Sequence, residues 1–205
     1  MDLPSEENVF SYLSCNSENV FYVGNATCRS MINSIVSGYD LDNVLSFLEH
    51  NKVDKLCSIC GDLFYAAFGH TDLKADLENI ADFKPIYKYH SDCKPVNTFE
   101  VGSFNGIRFF LTPGYSSYLM EGGLSNVLVS NRGKPCLFDD FAKNGYKPLP
   151  EMQRCDVYPI IFLGNKSYGF INTWSLFITV IHNQDNIAVL ETGCSAFPGV
   201  DEFYK

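Results

Sequence analysis

The sequence has 205 residues, with 24 Asp and Glu against 15 Lys and Arg, so its formal net charge is −9 at pH 7. This balance argues against a protein that tracks nucleic-acid phosphates, because such proteins gain most of their affinity from Lys and Arg. Hydrophobic residues make up 46% of the chain and aromatic residues 15%, which excludes disorder as a description of the whole and is enough for one domain over residues 1–205.

The first elements are a strand and two helices. Residues 20–23 are β-branched or aromatic and stop at Gly24, which predicts a strand. Apolar pairs recur four apart over residues 27–36, which predicts a helix. Residues 41–52 place apolar side chains at i, i+3, i+4 and i+7 after Asp40, so we expect a second helix with Asp40 as its N-cap.

A strand and a third helix follow. Residues 63–68 are a continuous apolar run bounded by glycines, which is typical of a buried strand. Thr71 is suited to cap a helix that runs to about Phe83, with Leu73, Leu77 and Ile80 on its inner face.

Strands dominate the remainder. The pattern predicts strands at 107–112, 124–130, 157–163, 176–182 and 187–190. Pro159 places the third of these at a sheet edge or makes it the start of a strand. Residues 183–186 are rich in Asn and predict a hairpin between the last two strands. Helices early and strands late indicate an α+β fold.

Eight cysteines are spread along the chain. Small disulfide scaffolds concentrate cysteine because their cores are small, whereas this chain has apolar residues enough for a core. The acidic start does not resemble a signal peptide, and no apolar run approaches the roughly 20 residues that span a bilayer. We therefore expect free thiols and a soluble protein of the cytoplasm.

The pair Cys57 and Cys60 has the spacing of a zinc or redox motif, and His90 and Cys93 would complete a four-ligand set. The separation between the two pairs is long for a zinc knuckle. A redox motif would lie between a strand and a helix, whereas this pair precedes a strand. The favoured interpretation is that these cysteines are small apolar residues, with a zinc site as the alternative.

The search for catalytic residues returns none. No serine lies in a G-x-S-x-G elbow, and the four histidines (His50, His70, His90 and His182) lie in no known catalytic frame. The acid pairs Glu6–Glu7 and Asp139–Asp140 are typical of a solvated acidic surface. We predict no catalytic residue, no bound metal and no cofactor.

Four segments, in order, resemble the major capsid proteins of tailed phages. They are 20–51, beginning Val-Phe-Tyr-Val-Gly; 63–83, with Phe-Gly-His-Thr-Asp-Leu; 99–113, Phe-Glu-Val-Gly-Ser-Phe-Asn-Gly-Ile-Arg-Phe-Phe-Leu-Thr-Pro; and 156–169, Asp-Val-Tyr-Pro-Ile-Ile-Phe-Leu-Gly-Asn-Lys-Ser-Tyr-Gly. The branch they resemble is the one typified by the podovirus N-four. In the third segment, Gly102 and Gly106 permit backbone conformations that side chains forbid, and Arg108 is expected to meet an acid or a carbonyl.

The resemblance implies the Hong Kong 97-type capsid fold, a mixed sheet with flanking helices. It implies a structural protein, not an enzyme, that self-assembles into an icosahedral shell around phage DNA. The implied partners are other capsid subunits and scaffold, portal or decoration proteins, with no sequence-specific nucleic acid and no membrane. The implied location is the virion, after assembly in the host cytoplasm.

Compared with that family, the chain is expected to lack the full N-terminal arm and the closing C-terminal segment. Two other classes stay open. One is a cytosolic cysteine-dependent hydrolase, and the other is an interaction domain stabilised by zinc at Cys57, Cys60, His90 and Cys93.

Overall fold

A mixed β-sheet organises the molecule. The computed structural model describes residues 17–58, 61–89, 95–114, 117–125, 128–130, 153–173, 177–182 and 184–195. The strands are β1 (Val20–Tyr22), β2 (Leu56–Cys57), β3 (Leu63–His70), β4 (Lys84–Pro85), β5 (Glu100–Phe104), β6 (Ile107–Thr112), β7 (Leu124–Ser125), β8 (Gln153–Arg154), β9 (Tyr158–Leu163), β10 (Tyr168–Thr173), β11 (Phe177–His182) and β12 (Ile187–Thr192). The α-helices among these residues are α1 (Gly38–His50) and α2 (Lys74–Glu78).

The main sheet has the order β1-β12-β9-β3-β6-β5-β4, with β2 paired to β3. The β1–β12 and β3–β6 pairs are parallel and the others in this sheet are antiparallel. Two small ribbons, β7–β8 and β10–β11, are separate from it. The α+β class and the mixed sheet are therefore confirmed, although strands are present in both halves of the chain.

Helix α1 confirms the prediction for residues 41–52 but begins earlier, at Gly38. Its N-cap is Ser37, not Asp40. The Ser37 hydroxyl accepts from the Asp40 amide at 3.3 Å, and the Asp40 carboxylate accepts from the Ser37 amide at 2.9 Å. The two residues thus form a capping box, in which Asp40 is the third helical residue.

The helix predicted over 27–36 is wrong, because only a 3-10 turn at Arg29–Met31 forms there. Other parts of the chain use the backbone that such a helix would need. The Ile32 carbonyl accepts from the Gly123 amide at 2.6 Å, and the Ser34 carbonyl accepts from the Gly193 amide at 3.1 Å. Tertiary hydrogen bonds thus replace the helical ladder.

The helix predicted from Thr71 to Phe83 is shorter than expected. A 3-10 turn (Thr71–Leu73) leads into α2, which ends at Glu78. The cap is the His70 imidazole, which accepts from the Asp72 amide, and not Thr71. Asp82 has φ of +67°, a left-handed conformation that ends any helix before Phe83.

Strands β3, β6 and β9 agree with the predicted runs to within two residues. Strand β9 lies between β12 and β3, so the edge alternative is wrong, whereas Pro159, its second residue, lies at the start of the strand as the other alternative predicted. Strand β3 pairs with β9 only opposite Ile161–Leu163. Proline is tolerated in this central strand because it lies beyond that pairing.

The hairpin predicted between the last two strands is wrong. Strand β11 pairs with β10, which the sequence did not reveal, whereas β12 joins the main sheet between β1 and β9. Of the run predicted at 124–130, Leu124–Ser125 form β7 and residues 128–130 are not in a strand, whereas residues 126–127 lie outside the described residues. Strand β5 was also missed, and it forms a hairpin with β6 through Asn105 and Gly106, both with positive φ.

The sheet is apolar on both faces. One face forms the larger core with α1 and α2, through buried residues that include Leu48, Leu77, Phe109 and Phe162. Smaller clusters lie on the other face: Phe64, Ala66 and Phe110 form one, and Ile161, Leu163 and Ile187 form another. No helix in the described part of the chain is long and apolar enough to cross a membrane.

Candidate functional site

Buried polar residues gather at one end of the main sheet. Strands β1, β3, β6 and β12 run in the same direction, so their carboxyl ends meet at this end, and β9 begins there. In open sheets with parallel strands this end commonly binds ligands. Functional side chains are therefore expected at this end of the sheet.

Asp72 is the centre of the first cluster and is buried. The Tyr158 hydroxyl donates to its Oδ2 at 3.3 Å, and His70 Nδ1 lies 3.0 Å from the same oxygen. The Cys194 thiol donates to the Asp72 backbone carbonyl at 3.4 Å. A thiol, an imidazole and a carboxylate thus meet around one residue.

His70 makes two contacts that require different protonation states. Its Nδ1 accepts from the Asp72 amide at 3.1 Å, which requires a bare nitrogen. An ion pair between the same Nδ1 and the Asp72 carboxylate requires a proton on that nitrogen. The neutral imidazole therefore caps the 3-10 turn at Thr71–Leu73, whereas the protonated imidazole forms an ion pair with the Asp72 carboxylate.

Asp76 fastens the chain that follows β12. The amide and hydroxyl of Ser195 both donate to the Asp76 carboxylate, the amide at 2.9 Å. Asp76 is 1% exposed, so this carboxylate is occupied by the protein's own donors. The contact joins α2 to a residue 119 positions later in the sequence.

Arg29 forms the second cluster. Its guanidinium donates to both oxygens of Glu191, at 2.8 and 2.6 Å, and to Glu121 at 2.6 Å. The Tyr118 ring lies 3.4 Å from its Cζ. The hydrogen bond with Glu191 raises the pKa of Arg29 further above its ordinary value. The cluster ties the 3-10 turn after β1 and the segment before β7 to β12.

The third cluster surrounds Arg108, near the opposite end of the sheet. Its guanidinium contacts Glu100 at 3.5 Å and Asp62 at 3.1 Å, and it is 5% exposed. The expectation that Arg108 meets an acid is confirmed. Glu100 also accepts from the Tyr89 hydroxyl at 2.9 Å and from the Val96 amide at 2.6 Å. Burial, with the Glu100 hydrogen bond, raises the pKa of Tyr89.

The structure describes four of the eight cysteines, and none of the four is in a disulfide: Cys28 and Cys57 are exposed, and Cys155 and Cys194 are buried. The Cys155 thiol donates to the Ile32 carbonyl at 3.1 Å, and burial raises the pKa of this thiol. A raised pKa disfavours the thiolate that a nucleophile requires.

Of the possible zinc set, Cys57 ends β2 and donates to the Ser58 carbonyl at 3.4 Å. Cys60, His90 and Cys93 lie outside the described residues, as do the acid pairs at 6–7 and 139–140. Within the described ranges no group of three or more His, Cys, Asp or Glu is arranged to hold a metal. His50 is exposed at the end of α1, and His182 ends β11.

Sequence reasoning missed the cluster at Asp72. The available signal was an acid two residues after a buried strand. Chemically, the cluster has the residue types of a thiol hydrolase, but Cys194 is 0% exposed. The other contacts of this end are internal hydrogen bonds and ion pairs that hold loops to the sheet.

No family model matches the chain, and no curated protein is similar to it.

Proposed function

We propose that this chain is a structural subunit that self-associates into a closed shell around phage DNA, with the Hong Kong 97-type fold of tailed-phage capsid proteins. One observation carries the proposal. All four segments that resemble those proteins, from residue 20 to residue 169, contribute strands to the same sheet: β1, β3, β5 with β6, and β9. A mixed sheet with flanking helices is the arrangement that the resemblance implies for these segments.

The polar clusters support the same function. Arg29, Arg108 and Asp76 each join segments that are far apart in sequence, Arg108 through Asp62, and these partners are the protein's own groups. Such contacts make a rigid unit, which a shell requires of each subunit. The net charge of −9 also suits a shell lining, because repulsion of packaged DNA avoids pinning it.

Assembly of the full 205-residue chain tests the proposal. In this fold the arm and extended loop provide most contacts between subunits, so we expect a monomer or low oligomer at micromolar concentration by light scattering. Fusion of a family-type arm should produce large closed particles by negative-stain microscopy, because each contact is repeated around the shell. Failure of the fusion to form any particle would contradict the proposal.

A cysteine-dependent hydrolase is the second candidate, favoured by the meeting of His70, Asp72 and Cys194. We expect no hydrolysis of ester, peptide or phosphate substrates. If an activity were found that Cys194→Ser abolished without loss of folding, the hydrolase would replace the shell subunit. Cys28→Ser, at an exposed thiol, is the matched control.

A zinc-stabilised interaction domain is the remaining alternative. The purified protein should contain well under one zinc per chain, and a chelator should leave its melting temperature unchanged. Stoichiometric zinc whose removal unfolds the chain would favour this alternative.

A further inference from the structure

The turn between β5 and β6 contains a chemically reactive pair of residues. Asn105 and Gly106 join the two strands, and the paired residues Phe104 and Ile107 close the turn. Both turn residues have positive φ, +44° and +83°, which is typical of the two-residue type I′ hairpin. Both are exposed. An asparagine carboxamide and a glycine amide therefore lie next to each other in an exposed turn.

An asparagine that is followed by glycine reacts readily with its own backbone. The amide nitrogen of the following residue attacks the side-chain Cγ, and a Cβ on that residue would restrict the backbone conformations that permit the attack. The sequence has two Asn-Gly pairs, at 105–106 and at 144–145, and the second lies outside the described residues. At Gly106 an added Cβ would have no atom within 4 Å, so the space beside the nitrogen is open.

We propose that Asn105 is a deamidation site whose conversion weakens the attachment of the β5–β6 hairpin to α1. The Gly106 nitrogen loses its proton to solvent and forms a bond to Asn105 Cγ. The bond between Cγ and Nδ2 breaks, Nδ2 leaves as ammonia with a proton from water, and a five-membered succinimide remains. Water then opens this ring, so that one water is consumed and one ammonia is released. The inference goes beyond the proposed function and does not depend on it.

Ring opening gives two products that affect the turn differently. Hydrolysis at the side-chain carbonyl gives aspartate, which tolerates the left-handed conformation of Asn105 and so preserves the turn. Hydrolysis at the backbone carbonyl gives isoaspartate, in which the main chain runs through Cβ. The additional backbone atom alters a turn whose two-residue length fixes the register of the hairpin.

Either product also changes a contact between the hairpin and α1. Asn105 Nδ2 donates to Asp42 Oδ1 at 3.0 Å, and Asp42 is an exposed residue of α1. The two residues are 63 positions apart in the sequence, so the bond joins separate elements. A carboxylate in place of the carboxamide removes the donor and places a like charge beside Asp42. An attractive contact thus becomes a repulsive one.

The fold slows this reaction without preventing it. The closed turn holds Asn105 in one conformation, and its backbone has to rotate before the Gly106 nitrogen reaches Cγ. Exposed turns open locally at a lower free energy than the whole fold. We therefore expect slow conversion in the native protein and faster conversion in denaturant.

Peptide mapping by mass spectrometry measures the reaction in the unaltered full chain. The protein is incubated in mildly alkaline buffer, and the aspartate and isoaspartate forms of the peptide that contains Asn105 are separated and quantified. Asn33 is exposed and is followed by Ser34, so it is the internal reference in the same digest. We expect the native chain to accumulate products at Asn105 severalfold faster than at Asn33, because serine carries a Cβ.

A double-mutant cycle with Asp42 measures the structural consequence. Asn105→Asp should lower the folding equilibrium constant by about two- to fivefold in urea denaturation, the size expected of an exposed charge pair. In the Asp42→Asn background the same substitution should cost little, because the like charge is gone. Asn33→Asp adds the same charge at another exposed asparagine and is the matched control.

Conversion at Asn105 no faster than at Asn33 in the native chain would overturn the modification site. An equal loss of stability from Asn105→Asp with and without the Asp42 carboxylate would overturn the coupling to α1. The rate is measured on the unaltered chain, so it remains decisive if a variant does not fold.

Discussion

Arg108 and Glu100 are a buried ion pair whose charges have lost most of their water. Glu100 is 2% exposed, and it holds contacts from Arg108, Tyr89 and Val96 at once. Removal of one partner leaves the other charge buried without full compensation. Loss of either residue is therefore expected to destabilise the β5–β6 hairpin.

Replacement of the buried arginine should therefore be costly. We expect Arg108→Ala to lower the free energy of unfolding by about 3–5 kcal/mol, measured by urea denaturation. Lys74→Ala, which removes an exposed pair with Glu78 on α2, should cost no more than about 1 kcal/mol. Equal losses in the two variants would contradict the structural role assigned to Arg108.

The raised pKa of Tyr89 predicts that the folded protein loses stability at alkaline pH. Burial raises its pKa in the folded state above the value of about 10 in the unfolded chain. Its contribution to stability is complete below pH of about 10 and is lost as the pH rises toward the folded-state pKa. Burial also raises the pKa of Tyr65 and of Cys155, which act in the same direction.

The variant Tyr89→Phe should lose about 1 kcal/mol at pH 7, because Glu100 loses a donor. Its stability should then decline less steeply than that of the unaltered chain above pH of about 10. Urea midpoints from pH 7 to alkaline pH measure both effects. Tyr87→Phe, at a tyrosine that is 79% exposed in the same segment, should show neither.

At the scale of elements, the β5–β6 hairpin depends on two glycines for different reasons. A Cβ at Gly102 would lie 2.5 Å from the Phe83 ring and 2.6 Å from the Lys84 carbonyl, so the position lacks space. Gly106 has open space around it but a φ of +83°, so the position is limited by conformation.

Alanine at the two glycines should therefore behave differently. We expect Gly102→Ala to lose about 1–3 kcal/mol through overpacking. Gly106→Ala should lose about 1 kcal/mol, and Gly106→Asn should recover most of that loss, because Asn tolerates the left-handed region. Thermal or urea unfolding measures both. Recovery by asparagine at Gly102 as well would contradict the distinction.

The elements predicted well are those with a local cause. Helix α1 follows from its amphipathic period, and β3, β6 and β9 follow from continuous apolar runs. The segment 27–36 has a helical period too, yet its carbonyls bond to Gly123 and Gly193, which no local pattern reveals.

Contacts between segments that are far apart in the sequence also could not be predicted from local patterns. The strand at 177–182 was found, but its partner is β10 instead of β12. Arg108 was expected to pair because a charge within an apolar strand requires a partner. Asp72 and Cys194 are 122 residues apart, so their contact required the fold.

At the scale of the whole molecule, the four cysteines that the structure describes divide into two groups. Cys28 and Cys57 are exposed, whereas Cys155 and Cys194 are buried, with their thiols against the carbonyls of Ile32 and Asp72 respectively. Reactivity of a thiol requires both access and a thiolate. Chemical labelling of Cys155 or Cys194 therefore measures opening of the fold.

Alkylation followed by mass spectrometry, without reductant, should show this division. In native buffer Cys28 and Cys57 should react and Cys155 and Cys194 should be protected. In denaturant most of the eight cysteines should react. Native disulfides in the denatured sample, or rapid native labelling of Cys194, would contradict the structure and the expected cytoplasmic setting.

The position of β12 has a consequence for how the chain acquires its fold. Strand β12 lies between β1 and β9, so β1, near the start of the sequence, has no partner in the sheet until residues 187–192 have been synthesised. Pairing over such a separation closes a long loop and is intrinsically slow. During translation residues 20–22 remain without β12 while β3, β6 and β9 associate. The β1–β12 pair can therefore form only after residue 192 has been synthesised, and a ribosome stalled before residue 187 would hold a chain whose first strand is still open to aggregation.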